Sequence, residues 1–240
     1  MENLPLFIFL ALLAEILGTV GGFGSSLFFV PIASYFFDFY SVLGITALFH
    51  VSSNLAKIGF FRKGFDKKLI ISIGIPAVLF VIAGAFLSKF IDTKILEILL
   101  AAFLVMVSLI LLLFKNIKVK PTLSNSIMGG TLSGLTAGLL GTGGAIRGMT
   151  LAAYNLKMDV FIATSAIIDL AIDLSRSVVY SLNGYVHKQH LFLIPILLFV
   201  SITGTFIGKK ILIRISEEQF KSFVLILVLL TGIITFIKIF

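Results

Sequence analysis

Two sets of polar residues stand out in an otherwise apolar chain. His50, Asn54 and Lys57 fall at i, i+4 and i+7, and Asp169, Asp173 and Arg176 repeat that spacing 119 residues later. At 3.6 residues per turn each set lies on one face of a helix. Ser53 widens the first face, and Ser177 and Tyr180 widen the second. In hydrocarbon each charge costs about 2.5–3.5 kcal/mol on insertion scales, so these groups must face a partner or a wet cavity. Two chemistries fit. One is a cavity lining in which an aspartate handles a coupling proton or cation. The other is a structural polar zipper between the two helices, for example Lys57 with Asp169 or Asp173. Glu15, just before a glycine loop, has two similar readings: a protonatable coupling group or a capped carboxylate near the interface.

The glycine loops, Gly21–Ser26 and Gly138–Ala145, suggest a second chemistry. Bare backbone at membrane depth is tolerated only where protein buries it or where it lines a cavity. Ser25, Ser26 and Thr142 suit the N-cap of a returning half-helix. The free N–H groups and positive dipole end of that half-helix favour an anion. The expected floor of the site is Gly24, Ser25, Ser26, Thr142, Gly143 and Gly144. Arg147, one turn further on, is expected to grip an oxyanion with two donors. Its alternative is a structural arginine on the C-terminal carbonyls of another helix, and the loops themselves could serve close helix packing. Neither loop has the Gly-Lys-Ser/Thr ending of a P-loop. A hydrolase using Ser25 or Ser26 with His50 as base would need that base oriented within about 3 Å. A bare Gly-Ser does not argue for one.

The elements that must position these residues are transmembrane helices. Of the 240 residues, 59% are hydrophobic and 12% charged, and the mean hydropathy is +1.16. Soluble domains are about 45–50% apolar and about 25% charged. Ile16–Phe37, Leu69–Ser88 and Pro121–Ile146 contain no charge, and about 20 apolar residues cross a bilayer as helix. The expected fold is therefore an all-α polytopic membrane protein without a large extramembrane domain. A net charge of +8 belongs to short cytoplasmic loops rather than to nucleic-acid binding. The absence of cysteine excludes thiolate metal sites, disulfides and thiol catalysis. Met1-Glu2-Asn3 shows no basic leader, so no removable signal peptide is expected.

The chain reads as two copies of one unit, residues 1–115 and 116–240. Gly21–Ser25 resembles Gly138–Thr142 at an offset of 117, Thr46 matches Thr164, Pro76 precedes Pro195 by 119, and Gly64 and Gly84 match Gly184 and Gly204. Each unit opens with an apolar stretch that carries a single charge, Leu4–Phe37 with Glu15 or Thr122–Tyr154 with Arg147, and that is too long for one crossing and too short for two. Three ordinary spans follow. They are Val42–Phe61, Leu69–Ser88 and Leu96–Phe114 in the first unit, and Val160–Tyr180, Leu191–Gly208 and Phe220–Ile237 in the second. If the opening stretches cross, there are eight spans and parallel repeats. If they re-enter, the repeats are inverted. Re-entrant hairpins put Arg62, Lys63, Lys67, Lys68, Lys115, Lys118, Lys120, Lys157, Lys209, Lys210 and Arg214 on one side, against Lys89, Lys94, Lys188 and Lys238. Eight crossings divide the basic residues more evenly. The positive-inside rule therefore favours inverted repeats with both termini outside. Pro76 and Pro195 are expected to kink matching helices, and His187 and His190 read as surface histidines.

The paired glycine loops, Pro31, the Ala163-Thr164-Ser165 triplet and the spacing of Gly84 and Gly204 resemble the TauE/SafE family of sulfite exporters over residues 5–238. The resemblance implies a multi-pass inner-membrane permease for sulfur oxyanions, small organosulfonates or related carboxylates. Gly148 stands where the family pattern has proline, and Arg147 where it has an aliphatic residue. The combined expectation is a secondary transporter, not an enzyme, that binds a small anion at the midplane between the two loops. Its partners would be that anion and membrane lipid, with no nucleic acid. It would need no cofactor beyond a coupling H⁺ or Na⁺. The alternatives are a passive anion channel or facilitator, a small-carboxylate transporter, and a structural or assembly subunit.

Overall fold

The computed structural model describes residues 3–22, 24–113, 119–212, 214 and 217–239, without the side chains of 217–225 and 238–239. Lys115, Lys118 and the expected repeat boundary at 115–116 lie outside the described residues. Ten α-helices are present, with no strand among the described residues. A hairpin of α1 (Leu4–Gly21) and α2 (Ser26–Ala33) precedes three long helices, α3 (Phe39–Phe60), α4 (Lys67–Leu87) and α5 (Thr93–Leu113). The pattern then recurs with the hairpin α6 (Leu123–Leu140) and α7 (Gly144–Ala152), followed by α8 (Met158–Leu182), α9 (Leu193–Leu212) and α10 (Glu217–Ile239).

Local sequence sets these boundaries. The Asp38 and Asp66 carboxylates accept the N–H groups of Ser41 and Leu69, each at 3.0 Å, and open α3 and α4. The Thr122 hydroxyl accepts the Asn125 N–H at 3.2 Å and opens α6. Helices α1 and α6 end at Gly22 and Gly141, with φ of +71° and +76°, a left-handed conformation that glycine adopts without a Cβ penalty. These two caps correct the expected register. Gly22, not Gly24, is the counterpart of Gly141, so the loops follow the same 119-residue shift as the polar faces. Pro195 also departs from expectation. A separate 3₁₀ turn at Lys188–His190 delays the start of α9. Pro195 therefore falls in the first turn of α9, where a missing N–H costs nothing, whereas Pro76 lies inside α4.

Both opening stretches turn back on themselves. The Phe7 ring on α1 packs on Phe29, Phe36 and Phe37 with centroids 5.9, 5.3 and 5.1 Å apart. In the second hairpin, Tyr154 donates to the Thr122 carbonyl at 3.2 Å and shares a 2.5 Å hydrogen bond with Ser126. Each stretch ends at the level where it began.

Contacts between distant residues mark the two ends of the bundle. At one end the Tyr40 hydroxyl donates to the Ile91 carbonyl at 2.8 Å, the Tyr40 and Tyr185 rings stack, and Phe37 meets His190. At the other, Lys63 pairs with Asp159 at 2.8 Å, the Asp66 N–H donates to Thr164 at 2.9 Å, and Lys209 donates to the Phe60 carbonyl at 2.6 Å. Helix α3 runs from the first end to the second, and α8 runs the opposite way. Packing also exchanges elements between the halves: α4 lies on α6 and α9 on α1, while α3 meets α8 and α5 meets α10.

Five helices among the described residues are long and apolar enough to cross a membrane: α1, α3, α4 with its 3₁₀ extension to Phe90, α5 and α9. Glycine, serine and threonine lower the hydropathy of α6. Asp159, Asp169, Asp173 and Arg176 lower that of α8. Leu79, Phe80, Phe199 and Phe206 face outward, a surface suited to lipid.

Candidate functional site

The two hairpin tips meet. Thr142, between α6 and α7, donates to the Ser26 hydroxyl at the start of α2 at 3.1 Å. Beside this junction lies a small cavity, lined by residues of both tips and both polar helix faces. Of the expected site residues, Gly24, Ser25, Ser26, Gly143, Gly144, Arg147, His50, Asn54, Lys57, Asp169, Asp173 and Arg176 all line it. Thr142 is buried at the junction, and Glu15 lies behind Ser25 and Lys57. A second small cavity shares Gly24, Lys57 and Asp169 with the first. It continues past Phe161 and Ile162 towards the end that carries Lys63 and Asp159.

The three carboxylates have different surroundings. Glu15 is fully buried. Its Oε1 accepts from Ser53 at 2.6 Å, Thr205 at 3.0 Å and Thr19 at 3.3 Å, and pairs with the Lys57 ammonium at 3.0 Å. Its Oε2 accepts from Ser25 at 2.7 Å. An ionised carboxylate has about four acceptor sites, and five donors converge on Glu15, which is saturated. Asp173 is nearly as constrained. Its Oδ1 accepts two Arg176 donors at 2.7 Å each, and its Oδ2 accepts from Asn54 at 2.6 Å. Asp169 differs. Among the described residues its one polar partner is Arg147, and its side chain keeps 18% of its surface accessible.

Arg176 performs the carbonyl-capping role that the sequence left open for Arg147. Its Nη1 donates to the Ala137 and Gly141 carbonyls at 3.1 and 2.8 Å at the C-terminal end of α6, where the Ala137 carbonyl also accepts the Gly141 N–H. The Tyr180 hydroxyl donates to the Gly138 carbonyl at 2.7 Å. Arg147 instead pairs with Asp169 and donates from Nε to Ser165 at 3.0 Å. Each of the three buried cations therefore faces one carboxylate. Lys57 pairs with Glu15 and not with either aspartate, yet the two polar faces do meet, through Asn54 on Asp173 and His50 beside Arg176, so the structural zipper forms with other partners than Lys57.

His50 connects the two halves. Its Nδ1 lies 3.2 Å from Arg176 Nη2 and its Nε2 lies 3.0 Å from Ser25 Oγ. A guanidinium only donates, so Nδ1 accepts and the ring proton sits on Nε2. His50 is thus close enough to Ser25 to act as a base but is wired as a donor to it, while Ser25 gives its own proton to Glu15. This arrangement offers Ser25 no histidine base.

Three further expectations change. Ser25 precedes α2 but makes no capping hydrogen bond, because its hydroxyl is committed to Glu15 and His50. Thr142 does not cap α7 either. Gly143 occupies that position, and the Thr142 hydroxyl is spent on Ser26. Gly143 turns its Cα towards α6, where a Cβ would lie 2.0 Å from the Ser133 carbonyl oxygen, so a side chain there would collide with backbone before filling the cavity. Thr19 and Thr205 join the site unforeseen. Their signals were available, since Thr19 lies one turn after Glu15 and Thr205 follows the repeat-matched Gly204.

The sequence model described as "Sulfite exporter TauE/SafE" matches residues 7–235. The chain is 30% identical over 234 residues to "Probable membrane transporter protein MJ0441" of Methanocaldococcus jannaschii, covering 90% of this chain and 87% of that protein. No solved structure matches it. Paired helical hairpins meeting at a charged cavity inside a bundle with an apolar exterior suit a membrane transporter, and with the family match spanning almost every helix, this multi-pass membrane protein belongs to the TauE/SafE family.

Proposed function

We propose that the chain is a secondary permease for a small anion, a sulfur oxyanion or organosulfonate, bound where the two hairpin tips meet. The carrying observation is the convergence of the N-terminal ends of α2 and α7 on one cavity with Arg147 in its wall. Hydrogen bonding within α7 begins with the Arg147 N–H on the Gly143 carbonyl, so the preceding N–H groups are those a helix leaves for a cap or an anion. The family description supplies the sulfur. A small carboxylate is the second reading, favoured by the fact that Arg147 already holds a carboxylate, that of Asp169.

The same reading gives the chain inverted repeats in the membrane. The opposite courses of α3 and α8 support it, as does the clustering of Arg62, Lys63, Lys67, Lys68, Lys157, Lys209 and Lys210 at the end marked by the Lys63–Asp159 pair. By the positive-inside rule that end is cytoplasmic.

The test is uptake by proteoliposomes of sulfite, isethionate, taurine and succinate, with binding measured on the purified protein. Saturable uptake with counterflow of a sulfonate or sulfite supports the proposal. Saturable uptake of succinate alone moves the substrate to carboxylates. Non-saturating flux without counterflow identifies a channel.

A further inference from the structure

The three carboxylates around the cavity are not equivalent, and the difference assigns them different work. Glu15 and Asp173 are filled with donors from three or more residues or from a bidentate arginine and an amide. Asp169 holds one partner, stays partly accessible, and borders both the central cavity and the one leading towards the basic end. Resting on the anion-site reading above, we propose that Asp169 is a tethered competitor for Arg147. Its carboxylate holds the guanidinium between transport events. An incoming anion displaces it, and Asp169 takes up a proton as the anion arrives.

Charge balance dictates the proton. Arg147 paired with Asp169 is neutral. A monoanion that captures Arg147 leaves Asp169 as an uncompensated carboxylate beside a second negative charge. A proton drawn from the water-facing cavity onto an Asp169 oxygen restores neutrality. The Arg147–Asp169 pair opens, the Arg147–anion pair forms, and one O–H bond is made. A metal cation fits poorly in that role. The groups that face Asp169 are Lys57 and His50 from α3, Arg147 from α7, and Asp173 and Arg176 on its own helix. Three of these are cations. Helix α6 has no ionisable residue, and those of α4, Lys67 and Lys68, are exposed at its start. A proton neutralises the carboxylate covalently and adds no free positive charge among those cations.

The experiment measures isethionate binding by calorimetry on the purified full chain between pH 5 and 8, because a sulfonate keeps its charge throughout. Parent protein should bind with about one proton taken up per anion, read from buffers of different ionisation heat, and should weaken by up to about tenfold per pH unit as pH rises. Asp169→Asn should bind roughly ten- to a hundredfold more tightly at pH 8, lose the proton uptake and show a flat pH profile. Binding by the parent without proton uptake overturns the proposal, as does an Asp169→Asn protein that keeps the parental pH profile. Arg147→Gln separates the two layers. If it binds like the parent, the anion-site reading itself falls. If it loses binding while Asp169→Asn behaves like the parent, only the competitor role falls. Binding by neither the parent nor Asp169→Asn overturns both. Should Asp169→Asn not fold, proton uptake by the parent decides alone.

Discussion

Gly204 approaches Glu15 so closely that a Cβ on the glycine would lie 2.7 Å from the glutamate Cγ. Position 15 is the repeat counterpart of position 134, where Gly134 presses against α4 so tightly that a Cβ would meet the Ala77 carbonyl oxygen. The first half thus carries a carboxylate where the second carries a glycine, and Gly204 on the partner helix leaves room for it. Glu15→Gln should cost about 3–5 kcal/mol, because it strands the buried Lys57 ammonium. Adding Lys57→Met should return part of that loss. Thermal unfolding of the detergent-solubilised variants checks both, and a Glu15→Gln protein as stable as the parent would contradict the saturated-carboxylate reading.

Ser25 sits between a donor and an acceptor, taking a hydrogen bond from His50 and giving one to Glu15. Ser25→Ala removes both at once and leaves two buried groups short of a partner. A loss of about 1–3 kcal/mol is expected. Ser25→Thr, which keeps the hydroxyl, should lose less. Denaturation curves for the pair measure the difference.

The glycines of the two tips should respond differently to substitution. Gly143→Val drives side-chain atoms into the Ser133 backbone, so the expected outcome is poor expression or an unfolded protein rather than a folded non-binder. At Gly24 the φ of +83° makes any Cβ unfavourable by roughly 1–2 kcal/mol. That Cβ would nevertheless clash with nothing, lying at ordinary contact distance, 3.9 Å, from the Arg147 guanidinium and the Ser26 hydroxyl. Gly24→Ala should therefore fold, with reduced stability, and narrow the cavity at Arg147. Size-exclusion profiles and anion affinity of the two variants provide the comparison.

Arg147→Gln should weaken isethionate or sulfite binding by about ten- to a hundredfold, the equivalent of one charge-assisted hydrogen bond. Arg147→Lys should recover only part, since an ammonium lacks the planar two-donor fork. Calorimetric titration of folded, monodisperse protein reports the order parent, lysine, glutamine. Any other order removes Arg147 from the site.

Reporter fusions after Lys120 and after the C-terminal residue should report opposite sides, with Lys120 cytoplasmic. The same side for both would restore eight crossings and parallel repeats.

Much of this arrangement was legible before any coordinates. Periodicity placed His50, Asn54 and Lys57 on one face and Asp169, Asp173 and Arg176 on its counterpart, because a 3.6-residue repeat leaves no other choice. The apolar length of Leu4–Phe37 and Thr122–Tyr154 together with the basic loops favoured hairpins. Pairing was not legible. Which cation meets which carboxylate depends on how α1, α7 and α9 approach α3 and α8, and sequence spacing carries no record of that approach. Thr205 illustrates the limit, being an ordinary threonine until α9 crosses α1. The loop register went astray because matching glycine to glycine ignored backbone conformation. Gly22 and Gly141 are equivalent through their left-handed caps, while their flanking residues differ.

The exchange of partners between halves also constrains how the protein is made. Thr205 reaches Glu15 across 190 residues, and α1 rests on α9, one of the last helices to leave the ribosome. During synthesis the first hairpin, with a carboxylate inside it, must wait in the membrane or its insertion machinery until nearly the whole chain has been produced. Its early companion is Lys57, which emerges soon after and can neutralise Glu15 long before the threonine arrives. A chain arrested before α9 would thus hold a charge-balanced but half-covered hairpin, the kind of intermediate that membrane quality-control proteases recognise.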